Sequence, residues 1–197
     1  MGCAEFFVAL YFDVLNKQVK PFAMDGKGED LFFLSNGHIS PVFYSVLARS
    51  GYFPLSELAT FRKINSRLQG HPTTHEGLPG IRVASGSLGQ GMSVAVGAAQ
   101  AKRLNGDHNL VYCLHGDGEL QEGQIWESAM YAGAKSVDNL IATIDANGQL
   151  INRHAREYAE ANPTGDEFPW RPHPMSELSR TIECNDFDLN EKPALVL

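Results

Sequence analysis

The sequence predicts an α/β fold, a doubly wound and mostly parallel sheet with helices on both of its faces. Apolar runs at residues 110–114 and 140–144 have the length and composition of buried strands. A helical pattern at 123–135 separates them, and strands joined through a helix lie parallel, with a right-handed crossover. Each run ends in a polar turn, and open parallel sheets bind ligands at this carboxyl edge.

Composition places the chain among ordinary globular proteins. Its 197 residues are enough for a full core, and 43% of them are hydrophobic. The net charge of −7 and the lack of a basic run argue against a nucleic-acid partner. Cys3, Cys113 and Cys184 have no paired or metal-type spacing, which fits a reducing compartment, and we expect the cytoplasm. The apolar start carries Glu5 and Asp13, so it predicts neither a membrane span nor a signal peptide.

The remaining regular elements follow from periodicity and from helix start signals. Helices are predicted at residues 1–16, 40–49 and 56–64, and a short strand is predicted at residues 30–34. Ser56 is placed to cap the third helix, with Leu58 and Phe61 facing the core. The strand leads into Ser35-Asn36-Gly37-His38, a third polar turn at a strand end.

Two loops carry most of the glycine in the middle of the chain. Residues 70–80 form an irregular stretch rich in Gly, Pro and Thr, and loops of this length usually carry function. Residues 83–85 lead into a loop at 86–91 with three glycines, followed by a helix of small residues at 93–101. Glycines at a helix N-terminus can present free backbone N–H groups to an anion or ligand. The small residues favour a tight seam with a neighbouring helix.

The turns after the two longer strands offer oxygen ligands for a cation. Asp117 offers a carboxylate, Asn147 an amide oxygen and Gln149 a main-chain carbonyl. Oxygen ligands suit a hard cation such as Mg²⁺, which usually shares its shell with water and phosphate oxygens. The residue types leave two interpretations open, a metal-bridged diphosphate site or two ordinary polar turns. In either case we expect Asp117 at the rim of the sheet, outside the core.

Four regions of the sequence, in order, resemble the transketolase family. They are LSNGHISPVFYSVLARSGYF, then QGHPTTHEGLPGI, then ASGSLGQGMSVAVGAAQAKRLNG, and finally GDGELQEGQIWE with VDNLIATIDANGQ. The last contains Gly-Asp-Gly with an Asn thirty residues after the Asp, as in the thiamine diphosphate motif. The likeness runs from residue 2 to about residue 151. The chain resembles the N-terminal, diphosphate-binding half of transketolase, in the form that is split over two chains.

The resemblance implies roles for particular residues. It implies a metal site for Mg²⁺ (or Ca²⁺ or Mn²⁺) made by Asp117, Asn147 and Gln149, and a catalytic set of His38, His71 and Glu122. Glu122 and Glu127 would be buried at a dimer contact and suited to proton exchange. The implied cofactor-binding set comprises His38, Gly86, Ser87, Leu88, Gly116, Asp117, Gly118, Glu119 and Asn147.

Without the resemblance, simpler interpretations of these residues stay open. His38 then fits a turn that caps the following helix, and His71 fits an exposed loop. Glu119 fits an acid that favours the N-terminus of a helix. His115, directly before the Gly-Asp-Gly turn, is expected to be a structural residue at the strand end. Trp126 is expected to pack in the core or at an interface.

The implied activity is transfer of a two-carbon ketol unit from a ketose phosphate to an aldose phosphate, with thiamine diphosphate and Mg²⁺. The family takes one glutamate from a pyrimidine-binding domain, which these 197 residues do not contain. We therefore expect the partner to be a C-terminal transketolase subunit, in a dimer of halves, and we expect no activity of the chain alone. A degenerate non-catalytic half and another thiamine enzyme, such as a deoxyxylulose phosphate synthase, are the alternatives.

The likeness to the family is interrupted at both ends. A family loop with a substrate-side histidine, which precedes the first helix, has no counterpart, so we expect the activity to be incomplete. We expect the diphosphate-binding domain at residues 1–151, a divergent loop and helix at 152–180, and final strands of the same domain at 181–197. Trp170, Arg171 and His173 fall in the divergent part, where surface packing and a binding loop both fit.

Overall fold

The computed structural model of the chain describes residues 3–146. The proposed metal ligands Asn147 and Gln149 lie outside the described residues. The predicted segments at 152–180 and 181–197 also lie outside them, with Trp170, Arg171 and His173.

The sheet of the described residues has three parallel strands. They are β1, Leu31–Leu34, then β2, Val111–Gly116, and β3, Leu140–Asp145. Strand β2 lies between β1 and β3. In the register of the sheet, Phe33 lies opposite Cys113, and Cys113 lies opposite Ala142. The predicted parallel pair, now β2 and β3, is confirmed, and β1 adds a third strand at its side.

Helices cover the sheet and short turns connect them. The α-helices are α1, Ala4–Ala9, α2, Ser40–Arg49, α3, Gln90–Leu104, and α4, Gly123–Ala134. A π-helical turn, Leu10–Val14, continues α1. Three 3₁₀ turns, Gly37–Ile39, Leu55–Thr60 and Asp117–Gln121, lie in the connections. No helix of the described residues is long and apolar enough to cross a membrane.

Alternating side chains of the sheet feed two separate cores. Phe32 and Leu34 of β1 pack with Tyr112 and Leu114 of β2 against α1 and α2. The intervening residues, Leu31, Phe33, Val111, Cys113, Leu140 and Ala142, pack against α3 and α4. Successive side chains of a strand point to opposite faces, so apolar runs without alternation require cover on both sides. The predicted fold class, with helices on both faces, is confirmed.

The structure shortens two of the predicted helices. The first predicted helix is regular only over Ala4–Ala9, after which the π-helical turn keeps Leu10 and Tyr11 buried. The predicted helix at 56–64 is a 3₁₀ turn that ends at Thr60, and Ser56 does not cap it. Arg62 and Asn65 have φ of 60° and 62°, values that end a right-handed helix.

Other sequence expectations for the fold hold. Leu58 and Phe61 pack against the first core, although only partly buried. The 70–80 loop contains neither helix nor strand. Cys113 is 1% exposed within β2, and burial raises the pKa of its thiol well above the usual range. It is therefore a small core side chain, as expected.

Candidate functional site

The carboxyl ends of β1 and β2 bring the predicted turns together. After Leu34, the chain enters the Ser35–His38 turn, and the end of β2 at Gly116 leads directly to Asp117. The start of α3, at Gln90, packs against the same edge, because its second residue, Gly91, touches Ser35. The expected clustering of polar turns at one edge of the sheet is therefore present.

A buried carboxylate, Glu119, joins the three segments that meet at this edge. Its Oε1 accepts hydrogen bonds from the Ser35 hydroxyl at 2.7 Å and from the Gly89 N–H at 2.8 Å. Its Oε2 accepts one from the Gly116 N–H at 3.0 Å. The Glu119 side chain is 1% exposed and Ser35 is fully buried. One side chain thus fixes the ends of β1 and β2 and the loop before α3.

Close backbone contacts at this edge require glycine. A Cβ on Gly37 would lie 2.6 Å from the Ser85 carbonyl carbon, so the turn after β1 touches the loop at 85–86. Gly86 has φ of 121°, and a Cβ there would lie 2.7 Å from the His71 ring. A Cβ on Gly91 would lie 2.5 Å from that of Ser35. The glycines therefore allow three loops to meet side by side.

The two histidines of the predicted catalytic set form a pair at the surface of this edge. The rings of His38 and His71 lie with centroids 4.7 Å apart in an edge-to-face arrangement. Both side chains are exposed to solvent. Partial burial and the nearby His71 lower the pKa of His38, and Glu119 opposes this shift. His38 is therefore mainly neutral near pH 7, when an imidazole can both donate and accept a proton.

Asp117 lies deeper than expected. Its side chain is 3% exposed, so Asp117 lies at the end of β2 as expected, but the expectation that it lies outside the core is wrong. The Asp117 Oδ1 accepts a hydrogen bond from the Gly118 N–H at 2.9 Å, within the 3₁₀ turn that follows β2. Asp117 thus follows β2 directly, in the turn that Glu119 closes.

The end of β3 is held by the first helix. Burial and a hydrogen bond with Asp145 raise the pKa of the Cys3 thiol to about 12. Cys3 begins the chain segment that enters α1, so this contact ties α1 to the strand that leads toward Asn147. Among residues 3–146, no group of three or more His, Cys, Asp or Glu side chains could hold a metal ion.

The backbone N–H groups before α3 are not free. Gly89 N–H donates to Glu119, and Gly91 N–H donates to the Ser35 hydroxyl at 3.2 Å. The expectation that all three glycines present free N–H groups is therefore wrong for these two. The Leu88 carbonyl is also used, because the Gln124 side chain of α4 donates to it at 3.1 Å. The loop is held by the protein itself, and Gly86 is its remaining glycine.

The acidic start of α4 is more open than expected. Glu122 and Glu127 are exposed in this chain, so the expected burial of these carboxylates is absent from it. Trp126 is 37% exposed, and its indole N–H donates to the Leu120 carbonyl at 2.7 Å. Met130 is 67% exposed on the same helix. Helix α4 therefore carries large apolar side chains in solvent, next to carboxylates.

Two buried polar side chains at the edge were not singled out from the sequence. Asn36 Oδ1 and Ser85 Oγ are both buried without a hydrogen-bond partner among the described residues. The Asn36 side chain lies beside Gly116, and Ser85 lies beside Gly37. Their position in the polar turns was the one available signal. Buried oxygens that lack a partner, beside a close glycine cradle, fit a site built around a polar ligand.

His115 matches its expected structural role. It lies near the end of β2, is 2% exposed, and its Nδ1 lies 4.0 Å from Glu119 Oε2. Burial lowers the pKa of His115, which keeps the ring neutral at pH 7, while Glu119 opposes the shift. It does not reach the surface where the His38 and His71 rings lie.

Residues 1–166 match the family described as "Transketolase, thiamine diphosphate binding domain". The chain belongs to this family. The assignment agrees with the parallel sheet and with the Gly-Asp-Gly turn at the end of β2. The Gly-Asp-Gly turn and the close glycines of this edge agree with a thiamine diphosphate-binding domain.

Transketolase relatives include proteins that are named as subunits. The chain is 38% identical over 171 residues to the "6-deoxy-6-sulfo-D-fructose transketolase subunit SqwG" of Clostridium sp., covering 87% of this chain and 60% of the relative. It is 34% identical to an apulose-4-phosphate transketolase subunit of Phocaeicola vulgatus, covering 100% of this chain and 71% of the relative. Human transketolase is 40% identical over 147 residues, which are 74% of this chain and 23% of the human protein.

Solved transketolases share the fold. The structure of "Transketolase from Leishmania mexicana" superposes with a TM-score of 0.66 at 29% identity, over 78% of this chain and 26% of that one. The transketolase of Campylobacter jejuni gives 0.65 at 32% identity, over 80% and 26%. The chain thus spans about three-fifths of the first subunit relative and about a quarter of the single-chain transketolases.

Proposed function

We propose that this chain is the thiamine diphosphate-binding half of a transketolase-type transferase. It would move a two-carbon ketol unit from a ketose phosphate to an aldose phosphate, together with a partner that carries the pyrimidine domain. One observation supports this most directly: His38, His71, Gly86 and the Asp117 turn meet at a single edge of a parallel sheet. The family assignment supports the same cofactor.

The residues of this edge would divide the work of holding the cofactor. Asp117, Asn147 and the Gln149 carbonyl would bind Mg²⁺, or Ca²⁺ or Mn²⁺ in its place, since all three offer oxygen. The diphosphate would lie against Gly116, Gly118 and His38, and the rings against the set Gly86, Ser87 and Leu88. When bound, thiamine diphosphate supplies the carbon nucleophile for the transfer, and the protein supplies position and charge.

The histidine pair would act on the sugar phosphate. Both rings are exposed, so a substrate that enters from solvent can reach them. A neutral His38 can accept a proton from a sugar hydroxyl and return it, which is the usual requirement for acid–base work near pH 7. His71, in edge-to-face contact with His38, would bind a second hydroxyl and fix the orientation of the first ring.

Relatives named as subunits and the exposed residues of α4 support a second subunit. This chain covers 60% and 71% of two relatives that are named as subunits. We propose that the partner is a C-terminal transketolase subunit, in a cytoplasmic dimer of halves. Glu122 and Glu127 would become buried at the contact between halves, where Trp126 would also lose its exposure.

Metal-dependent cofactor binding tests the assignment of the site. Asp117→Asn preserves the shape of the buried side chain but removes its charge, so it should weaken binding of thiamine diphosphate with Mg²⁺ at least about tenfold. Asp138→Asn is the matched control, because Asp138 is an exposed carboxylate close before β3, at the opposite edge of the sheet. Calorimetry would measure both. Equal affinities of the two variants would remove Asp117 from the site.

Ketol transfer with and without a partner tests the division into halves. The full chain alone should show no transfer from a ketose phosphate to an aldose phosphate, and addition of a pyrimidine-domain subunit should restore it. Activity of the chain alone at an ordinary enzymatic rate would contradict the need for a partner. Cofactor binding without transfer, in the presence of a matched partner, would instead identify a non-catalytic half. Acceptance of pyruvate with an aldose phosphate would favour a deoxyxylulose phosphate synthase.

A further inference from the structure

Glu119 is the most heavily used buried side chain of the edge. Its three hydrogen-bond donors come from segments that are far apart in sequence, Ser35 after β1, Gly89 before α3 and Gly116 at the end of β2. Each donor is a near neighbour of a residue proposed to face the cofactor. Ser35 is followed by the turn with His38, and Gly116 is followed by Asp117.

The geometry leaves Glu119 little capacity for a direct contact with a ligand. Oε1 accepts two hydrogen bonds at 2.7 Å and 2.8 Å, and Oε2 accepts one at 3.0 Å with the His115 ring 4.0 Å away. The side chain is 1% exposed. A carboxylate that is enclosed and saturated in this way acts on a ligand through the groups that it holds.

We propose that Glu119 is a positioning residue: it sets the spacing of the three loops that face the cofactor. This rests on the proposed function in so far as the loops serve thiamine diphosphate.

The effect of the charge on His38 has a definite sign. The titratable groups that act on His38 are His71, whose ring is in contact, and Glu119, whose charge favours the protonated imidazole. Partial burial of His38 acts in the opposite direction to Glu119 and lowers the pKa of the ring. Removal of the Glu119 charge should therefore lower the pKa of His38 further, whereas loss of the Ser35 hydroxyl should leave it nearly unchanged.

Three variants of the full chain separate positioning from a direct contact. Glu119→Gln removes the charge, and Ser35→Ala removes the hydrogen bond to Glu119 together with the one accepted from the Gly91 N–H. Glu5→Gln is a control in the exposed first turn of α1. Calorimetry with thiamine diphosphate and Mg²⁺ should show binding to Glu119→Gln and Ser35→Ala each weakened about fivefold or more, the effect of one ordinary hydrogen bond lost. Glu5→Gln should match the unsubstituted chain.

An NMR titration of the His38 ring without cofactor supplies the second measurement. Glu119→Gln should lower the measured pKa of His38, with Ser35→Ala and Glu5→Gln close to the unsubstituted chain. An unchanged His38 pKa in Glu119→Gln would overturn an action of Glu119 on the turn that carries His38. An unchanged cofactor affinity in Ser35→Ala, with a loss in Glu119→Gln, would overturn positioning in favour of a direct contact.

Calorimetry and the His38 titration distinguish failure of the positioning role from failure of the proposed function. If the unsubstituted chain does not bind thiamine diphosphate, the proposed function is contradicted, and the His38 titration still tests whether Glu119 acts on His38. Should Glu119→Gln fail to fold, Ser35→Ala tests positioning by itself. Its folded state is checked by the melting temperature before the calorimetry.

Discussion

Gly91 marks the closest contact between helix α3 and the end of strand β1, and Gly91→Ala should therefore destabilise the fold. A Cβ at this position would lie 2.5 Å from the Ser35 Cβ and 2.7 Å from its Cα. Carbon atoms in contact normally lie about 3.5–4.0 Å apart, so the helix must move by roughly 1 Å. Overpacking of this kind costs about 1–3 kcal/mol. The same movement would pull the Gly91 N–H from the Ser35 hydroxyl.

Gly97→Ala in the same helix is the matched control. A Cβ on Gly97 would meet nothing within 4 Å, and the residue is exposed. Alanine is favoured over glycine in a helix interior by about 0.5–1 kcal/mol. Subtracting this preference from the overpacking cost leaves a net loss of about 0–2.5 kcal/mol for Gly91→Ala, whereas Gly97→Ala should gain stability.

Urea unfolding of the full chain, followed by far-ultraviolet circular dichroism, measures both variants. Thermal unfolding gives a second measure, because 1 kcal/mol shifts the melting temperature of a chain of this size by about 2–4 °C. An unchanged slope of free energy against urea shows that stability, and not the compactness of either state, has changed. If Gly91→Ala were as stable as Gly97→Ala, the close packing of α3 on the end of β1 would be refuted.

Two further predictions concern buried charge and the histidine pair. Lys102 is 5% exposed and donates to two backbone carbonyls and to Asp107. Lys102→Met should therefore lower the free energy of unfolding in urea by about 3–5 kcal/mol. A loss below about 1 kcal/mol would contradict the importance of these contacts. The hydrogen bond with Lys102 holds the pKa of Asp107 below its usual range. The contribution of the Asp107 carboxylate to the free energy of unfolding is therefore complete above about pH 5 and is lost as the pH falls further. This loss of stability at low pH should be smaller in Lys102→Met. The pKa of His38 should lie below about 6.5 in an NMR titration. It should rise in His71→Ala, because the charge of His71 opposes protonation of His38. An unchanged pKa of His38 in His71→Ala would contradict an interaction between the two rings.

Continuous apolar runs allowed the strands and one helix to be predicted closely. Strand β1 was expected at 30–34 and occupies Leu31–Leu34, and α2 occupies its expected range. These segments carry strong local signals, a short apolar run in β1 and Pro41 at the start of α2. The turns that follow the strands could be placed at one edge because parallel strands share the direction of their carboxyl ends.

The internal contacts of the site could not be predicted from local patterns. Glu119 resembled an acid at a helix start, and only the folded chain brings Ser35 and Gly89 to its oxygens. The Gly89 N–H, which the sequence suggested was free, donates to Glu119. Asp117 is likewise buried by the turn that its own side chain closes with Gly118. Hydrogen bonds between distant segments leave no mark in periodicity, so these partners had to be observed.

The predicted end of the helix at 56–64 was wrong for a related reason, because the segment is a 3₁₀ turn that ends at Thr60. Positive φ at Arg62 and Asn65 ends the helical path, although neither residue is a glycine or proline. In the bent segment, the Arg67 guanidinium donates two hydrogen bonds of 2.8 Å to Glu57, and the Arg62 N–H donates to the Leu68 carbonyl. These contacts join residues six and ten apart in sequence, which the helical pattern does not indicate.

The proposal that a divalent cation binds beside the turn after β2 can be tested by locating the metal in solution. Mn²⁺ added to the full chain with thiamine diphosphate should broaden the amide NMR signals of Gly116 and Gly118. It should leave Gly106 sharp, because Gly106 lies beyond the far end of α3, a helix of 15 residues and about 22 Å. Strongest broadening at Gly106 and at Gly28, beside the Asp107 carboxylate, would contradict a cation at the carboxyl edge of the sheet.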